Sequence, residues 1–162
     1  MVPILMSFLA CTPADDGEQT DVPGVVAEAG HQCEEVENLI DRIQCYVSAA
    51  TTADDPAVCD RSSHEGVRYQ CYAVLAERRG DPELCDEIPT ASQEHLKLKD
   101  ICMSDVAEEN LRPELCELIE TLGIRDSCYA KLGPQTGDPS LCEKIRDPGL
   151  KSACSGEPVT VE

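Results

Sequence analysis

The sequence predicts an all-α protein in which five disulfide-stapled helical hairpins stack into a short α-solenoid. Three observations predict this fold. The 162 residues include 11 cysteines, several times the ordinary usage. Ten of them recur with a period of about 26 residues, and an internal period of this length is typical of stacked repeats. Aromatic residues make up only 3 % of the chain, with no Trp, so that covalent cross-links must supplement the core.

Residues 1–10 are predicted to be an export leader. MVPILMSFLA is a short apolar run, and the chain becomes acidic and turn-rich directly after Cys11, which is typical of export signals. The ending Phe8-Leu9-Ala10-Cys11 resembles the lipobox of bacterial lipoproteins. The resemblance implies cleavage before Cys11 and a diacylglyceryl anchor on that cysteine. A secretory leader followed by a chance cysteine is the alternative.

Residues 11–30 are predicted to be a flexible tether. They contain several Pro and Gly, no basic residue, and carboxylates at Asp15, Asp16, Glu18, Asp21 and Glu28. Such a segment buries too little apolar surface to offset the entropy of ordering it. The tail 156–162 is expected to be disordered as well. The repeat domain is therefore expected to span residues 31–155.

Cysteine spacing defines the repeat. The intervals between successive repeat cysteines alternate between 12 and 14 residues, apart from an interval of 17 in the third unit, which holds a five-residue insertion. The ten cysteines are Cys33, Cys45, Cys59, Cys71, Cys85, Cys102, Cys116, Cys128, Cys142 and Cys154.

Each unit is predicted to be a helical hairpin with one cysteine on each helix. The first helix follows an Asp-Pro pair in three units, and Asp is a good N-cap while Pro fits the first helical position. The second helix carries apolar residues four before and four after its cysteine, which form one stripe. We expect Gly80, Asn110 and Gly133 to close these second helices. The pairs are Asp55-Pro56, Asp81-Pro82 and Asp138-Pro139, with Arg112-Pro113 in the fourth unit.

Three interpretations of the repeat cysteines compete. Structural zinc and c-type haem need close pairs such as C-x2-C or C-x-x-C-H, which the chain lacks, so we expect no metal and no cofactor. Free thiols are not expected, because ten cysteines recur at regular spacing and the predicted export signal would send the chain to an oxidising compartment. We expect disulfides across the shorter intervals, since this pairing uses all ten and leaves Cys11 for a lipid. The predicted pairs are 33–45, 59–71, 85–102, 116–128 and 142–154.

The first unit resists this pairing. Residues 33–50 contain neither Gly nor Pro and fit one continuous helix. In such a helix Cys33 and Cys45 would lie about 18 Å apart, too far to bond. Either the helix breaks near Glu37-Asn38, which we favour, or Cys33 pairs elsewhere.

Charges also repeat in phase with the cysteines. An acidic residue follows each first cysteine, and a basic residue stands three before each second cysteine. Disulfides within the units would bring these opposite charges together, although two independent solvated positions are the alternative. The acids are Glu34, Asp60, Asp86, Glu117 and Glu143, and the bases are Arg42, Arg68, Lys99, Arg125 and Lys151.

No catalytic residue is predicted. The segment Ser62-Ser63-His64-Glu65 is interpreted as a polar loop, and His95 as a surface residue of a helix. The residue directly after the second cysteine of the first four units gives a candidate binding stripe. It consists of Tyr46, Tyr72, Met103 and Tyr129. Tyr is favoured at interfaces, but we favour the alternative that these residues pack between units with the tyrosine hydroxyls reaching solvent.

The charge balance restricts the function. With 13 basic and 32 acidic residues the net charge is −19, which argues against nucleic acid and anionic lipid surfaces as partners. We expect a non-enzymatic lipid-anchored protein of a bacterial cell envelope, exported to the periplasmic or surface face of a membrane. Its acidic repeat surface would bind a protein or peptide, and a basic partner would suit this charge. A structural or protective surface protein without a ligand and a disulfide-exchanging redox protein are the alternatives.

Overall fold

A computed structural model describes residues 32–156. Over this range the chain is helical and contains no strand, and five disulfides staple the helices in a repeated arrangement, which confirms the predicted fold class. Each unit pairs a short helical segment with a longer helix. The longer helices are α1 (Leu39–Thr52), α2 (Glu65–Arg79), α3 (Gln93–Glu109), α4 (Leu122–Thr136) and α6 (Pro148–Ser155). The short segments are η1 (Pro56–Arg61), η2 (Pro82–Glu87), η3 (Pro113–Leu118) and α5 (Ser140–Glu143), and residues 32–34 are helical in the first unit.

The short segments of the three middle units are 3₁₀ helices rather than α-helices. Each is six residues long and begins with Pro. The carboxylates of Asp55 and Asp81 accept the backbone N–H groups of Ala57 and Glu83, at 3.0 and 3.1 Å, so both act as the expected N-caps. Arg112, which replaces Asp in the fourth unit, makes no such cap. The i→i+3 pattern suits so short a segment.

The disulfides join the two helices within each unit. Their Cα–Cα distances are 5.6–5.8 Å, inside the range that a disulfide requires. The first unit meets this requirement because its helix breaks at the predicted place. Asn38 has an extended backbone, and its side chain accepts the N–H groups of Ile40 and Asp41 at the start of α1. Cys33 therefore reaches Cys45.

Long helices of successive units pack side by side, and their apolar faces form two adjoining clusters. One cluster spans the first two units and the other the last three, with Leu84 packed against both. Ile88, Ile119 and Ile145 are buried at one repeated position of the short segments. Ser62 occupies the same position in the second unit and is buried too.

One repeated position has a left-handed backbone. The residue that precedes each of the four Pro-containing starts is Asp54, Gly80, Leu111 or Gly137, with φ between 50° and 69°. Gly80 closes α2 as expected, and Asn110 closes α3. The prediction that Gly133 closes α4 is wrong. That helix continues through Gly133 and Pro134 to Thr136, and Gly137 ends it.

Packing explains the glycine at 133. A Cβ atom there would lie 2.7 Å from the sulfur of Cys154 and 3.0 Å from that of Cys142. Real Cβ contacts are essentially never shorter than 3.0 Å. Gly133 therefore lets the last disulfide approach the backbone of α4, and its role is close packing rather than a turn.

Buried or partly buried carboxylates also connect three of the units to the unit that follows. Asp100 in α3 is buried and accepts the backbone N–H groups of Glu120 and Thr121 in the fourth unit, at 3.0 and 2.7 Å. Asp126 in α4 is buried as well and makes the corresponding bonds in the fifth unit. Its Oδ2 accepts the N–H groups of Arg146 and Asp147, at 3.2 and 2.9 Å.

Glu34 connects the first two units by accepting hydrogen bonds from Ser63. It accepts the backbone N–H of Ser63 at 3.0 Å and the Ser63 hydroxyl at 2.6 Å. The Tyr46 hydroxyl also donates to this carboxylate at 2.7 Å. These hydrogen bonds, those to the Ser63 hydroxyl and to Tyr46 above all, lower the pKa of Glu34 to about 2.

Candidate functional site

The predicted stripe after the second cysteines lies inside the molecule. Tyr46, Tyr72, Met103 and Tyr129 are each at most 5 % exposed. Tyr46 and Tyr72 belong to the first cluster, whereas Met103 and Tyr129 belong to the second. Burial raises the pKa of Tyr46 and Tyr72, and hydrogen bonds to Glu34 and Asp60 raise each further. This placement corresponds to packing between units rather than to an exposed ridge.

The repeated opposite charges meet in only some units. Lys99 pairs with Asp86 at 2.7 Å, and Lys151 pairs with Glu143 at 2.6 Å. In the fourth unit the carboxylate instead finds a partner in the following unit. Glu117 thus pairs with Lys144, which belongs to the fifth unit.

Main-chain carbonyls take the place of the acid in the first two units. The Arg42 Nε donates to the carbonyl of Val36 at 2.8 Å, and an Arg68 terminal nitrogen donates to the carbonyl of Ser62 at 3.1 Å. Both carbonyls stand at the end of a short segment, where helical turns leave carbonyl groups unpaired. The arginines therefore stabilise the connector in these units.

The histidines of the described range contact other side chains or stand at the start of a helix. His95 contacts Glu65 at 3.1 Å and the Tyr69 ring edge-on at 5.0 Å between centroids. His64 is the residue before α2. Within residues 32–156, no three His, Cys, Asp or Glu side chains are close enough to hold a metal ion.

A group of carboxylates lies on the C-terminal halves of α2 and α3, and we call it the acidic surface. It consists of Glu77, Asp105, Glu108 and Glu109, and none of the four is fully buried. Burial raises the pKa of Asp105, and the charges of Glu77 and Glu108 raise it further. Lys131 offsets part of this charge by contacting both oxygens of Glu108 at 2.9 Å.

The end of α3 makes the acidic surface more negative. Glu108 and Glu109 stand in the last turn of α3, which contains no basic residue. A helix C-terminus carries a partial negative charge, so acidic side chains there are locally unfavourable. These carboxylates therefore gather where the end of α3 disfavours their charge, while Lys131 and the basic last turn of α2 offset only part of it.

A second candidate lies between the fourth and fifth units, and we call it the terminal groove. It is a cavity of about 380 Å³ between α4 and the short segments on either side of it. The Lys144 Nζ lies 5.3 Å from the centre of the Tyr129 ring and pairs with Glu117, which raises the pKa of the lysine. The lining residues are Glu117, Arg125, Asp126, Tyr129, Lys144 and Arg146.

The sequence analysis did not predict that Asp100 and Asp126 link neighbouring units, and it predicted neither the acidic surface nor the terminal groove as a site. One signal was visible, since the two aspartates stand two residues before a second cysteine, in phase with the repeat. The surfaces gave no such signal because they combine residues from different units.

Several predicted features lie outside the described residues. These are the lipid-anchor residue Cys11, the leader 1–10, the tether 11–30 and the tail beyond residue 156. Within the described range, no helix has both the length and the apolar character that crossing a membrane requires. The five disulfides indicate an oxidising environment, extracellular or periplasmic.

Comparisons with known proteins found no match, whether to a family model, to a curated protein or to a solved structure. Its helices and disulfides define the class of this protein, which is an all-α, disulfide-stapled repeat protein.

Proposed function

We propose that this protein is an exported, non-enzymatic binding module that presents its acidic repeat surface to a basic protein or peptide. In this proposal Cys11 carries a lipid that anchors the module at a bacterial envelope membrane, and residues 12–30 act as the tether. The binding site is the acidic surface of α2 and α3.

The crowding of Asp105 supports this proposal most directly. Burial first, and then the charges of Glu77 and Glu108, raise the pKa of Asp105, so the folded protein holds the charged carboxylate at a cost in stability. A cation from a partner would relieve the repulsion, so binding and stability would be coupled. The overall charge of −19 would also speed the encounter with a basic partner.

Burial of the disulfides favours a binding role over a redox role. Eight of the ten bonded cysteines are buried, and only Cys45 and Cys154 are partly exposed. A disulfide that exchanges with a substrate must be accessible to an attacking thiolate. Buried staples instead hold a fixed surface, which reduces the entropy lost on binding.

A charge-removal experiment tests the site. The variant Glu77→Gln/Asp105→Asn/Glu109→Gln removes three charges from the acidic surface. The control variant Glu35→Gln/Glu37→Gln/Asp41→Asn removes three exposed charges from the first unit. Binding of a synthetic Lys- and Arg-rich peptide would be followed by fluorescence anisotropy across a range of salt concentrations. We expect the first variant to weaken binding about tenfold or more and to reduce its salt dependence.

Equal losses in the two variants would show that the peptide responds to total charge, which would contradict a located site. Folding of the first variant is expected to survive, because removing like charges relieves repulsion. Intact mass of the mature protein tests the anchor separately: cleavage before Cys11 with an added diacylglyceryl group supports it, and an unmodified Cys11 contradicts it.

A further inference from the structure

The residues that line the terminal groove differ from those at the equivalent positions one repeat earlier. Three of the six positions keep a similar charge, with Glu117, Arg125 and Asp126 replacing Asp86, Lys99 and Asp100. The remaining three positions change in character. Met103 becomes Tyr129, Leu118 becomes Lys144 and Glu120 becomes Arg146. The terminal groove thereby gathers three cations in a chain that contains 13 basic and 32 acidic residues.

The two carboxylates of the terminal groove already have partners. Glu117 is paired with Lys144. Asp126 accepts the backbone N–H groups of Arg146 and Asp147. Neither acid pairs with the side chain of Arg125 or of Arg146, and these two guanidinium groups form no ion pair within the described residues.

Arg125 is short of hydrogen-bond acceptors. Its Nε is buried and has no acceptor, and one terminal nitrogen makes only a long contact of 3.5 Å with the carbonyl of Glu120. A buried donor without an acceptor is costly, and native proteins contain few of them. A ligand in the groove would supply an acceptor to the exposed terminal nitrogens of this guanidinium group, whose one contact is long.

We propose that the terminal groove binds an oxyanion, a carboxylate or a phosphate, carried by a small ligand and held by Arg125, Arg146 and the Tyr129 hydroxyl. Guanidinium groups match both anions because their planar forks donate two parallel hydrogen bonds. The cavity of about 380 Å³ lies at the small end of known ligand sites. This site is separate from the acidic surface. It would bind anions, whereas the acidic surface would bind a basic partner, so each proposal can be tested without the other.

The test titrates the full-length oxidised protein with succinate and, separately, with inorganic phosphate at low ionic strength. Arginine Nε–H resonances would be observed by ¹⁵N NMR. We expect saturable binding of one anion, with the largest shift at the Nε–H of Arg125. The variants Arg125→Gln and Arg146→Gln should each weaken binding about tenfold or more, since each loses a charged hydrogen bond.

Arg78→Gln is the matched control, because Arg78 is an exposed arginine on α2 and lies outside the groove. It should leave the affinity unchanged. Tighter binding of succinate or of phosphate identifies the kind of oxyanion, and either result supports the site. Shifts that do not saturate, or equal weakening by Arg78→Gln and Arg125→Gln, would overturn it. Resonance mapping on the unaltered protein keeps the test decisive even where a variant fails to fold.

Discussion

Asp100 and Asp126 show how single residues connect the repeat units. Each reaches from a long helix to two backbone N–H groups in the connector of the following unit. The second unit carries Tyr69 at this position. The connector that follows it has Pro89 where an N–H group would be needed. An aspartate in the second unit would therefore lack one of its two hydrogen-bond partners.

Asp100→Ala is expected to lower the free energy of unfolding by roughly 1–3 kcal/mol, since two partly buried backbone N–H groups lose a charged acceptor. Asp100→Asn should cost less, because the amide oxygen still accepts a hydrogen bond. Urea unfolding measures both, with the exposed Glu87→Ala as control. An Asp100→Ala variant as stable as that control would contradict the role assigned here.

Glu34 gives the stability a defined dependence on pH. Its folded pKa of about 2 lies below the ordinary value of 4.5, so the charged form stabilises the fold. This contribution is complete above pH 4.5 and is lost as the pH falls toward 2. We expect Glu34→Gln to lower the free energy of unfolding at neutral pH. Near pH 2 the variant and the unaltered protein should be equally stable. Unfolding free energies measured at several pH values test this, and a difference that stays constant across the range would count against it.

At the scale of the helices, glycine has two unrelated uses in α4. Gly137 adopts the left-handed conformation that ends the helix. Gly133 stays helical and makes room for the sulfur atoms of the last disulfide. The sequence pattern Gly133-Pro134 is typical of a helix end, because Pro disrupts helical hydrogen bonding. The helix continues instead because α6 and its disulfide pack against it.

Two alanine substitutions in α4 should have opposite effects. Gly133→Ala forces the backbone away from the Cys142–Cys154 bond and should destabilise the protein by roughly 1–3 kcal/mol. Gly123→Ala meets nothing within 4 Å and should stabilise it. The gain is expected to be up to about 1 kcal/mol, since Ala favours the helix. Thermal unfolding, monitored by circular dichroism, compares the stability of the two variants with that of the unaltered protein. If both substitutions change stability in the same direction, the close-packing role of Gly133 is wrong.

For the molecule as a whole, stability depends on contacts between neighbouring units and on covalent staples. The buried core consists of small aliphatic side chains, tyrosines, one methionine and the disulfides themselves. Each unit buries its apolar face only against its neighbours, as in other solenoids. Losing a central staple should therefore have wider effects than losing a terminal one.

The paired variants Cys85→Ala/Cys102→Ala and Cys142→Ala/Cys154→Ala test this difference. Each removes a disulfide that is worth about 3 kcal/mol by its loop length. Amide hydrogen exchange should show that the terminal variant loses protection in α4 to α6 alone. The central variant should lose protection in units on both sides. Loss of protection in α1 to the same extent in both variants would argue against nearest-neighbour stability.

Local signals in the chain determined the repeat, the five disulfide pairs, the Asp-Pro starts and the break before Asn38. Each depends on residues close in sequence, whose spacing limits which helices and cross-links can form. Only the tertiary structure decided the burial of the tyrosines, the continuation of α4 through Gly133, the links from Asp100 and Asp126, and the two candidate surfaces. These features join side chains from different units, and the distances between such side chains are set by how the units stack rather than by any local pattern.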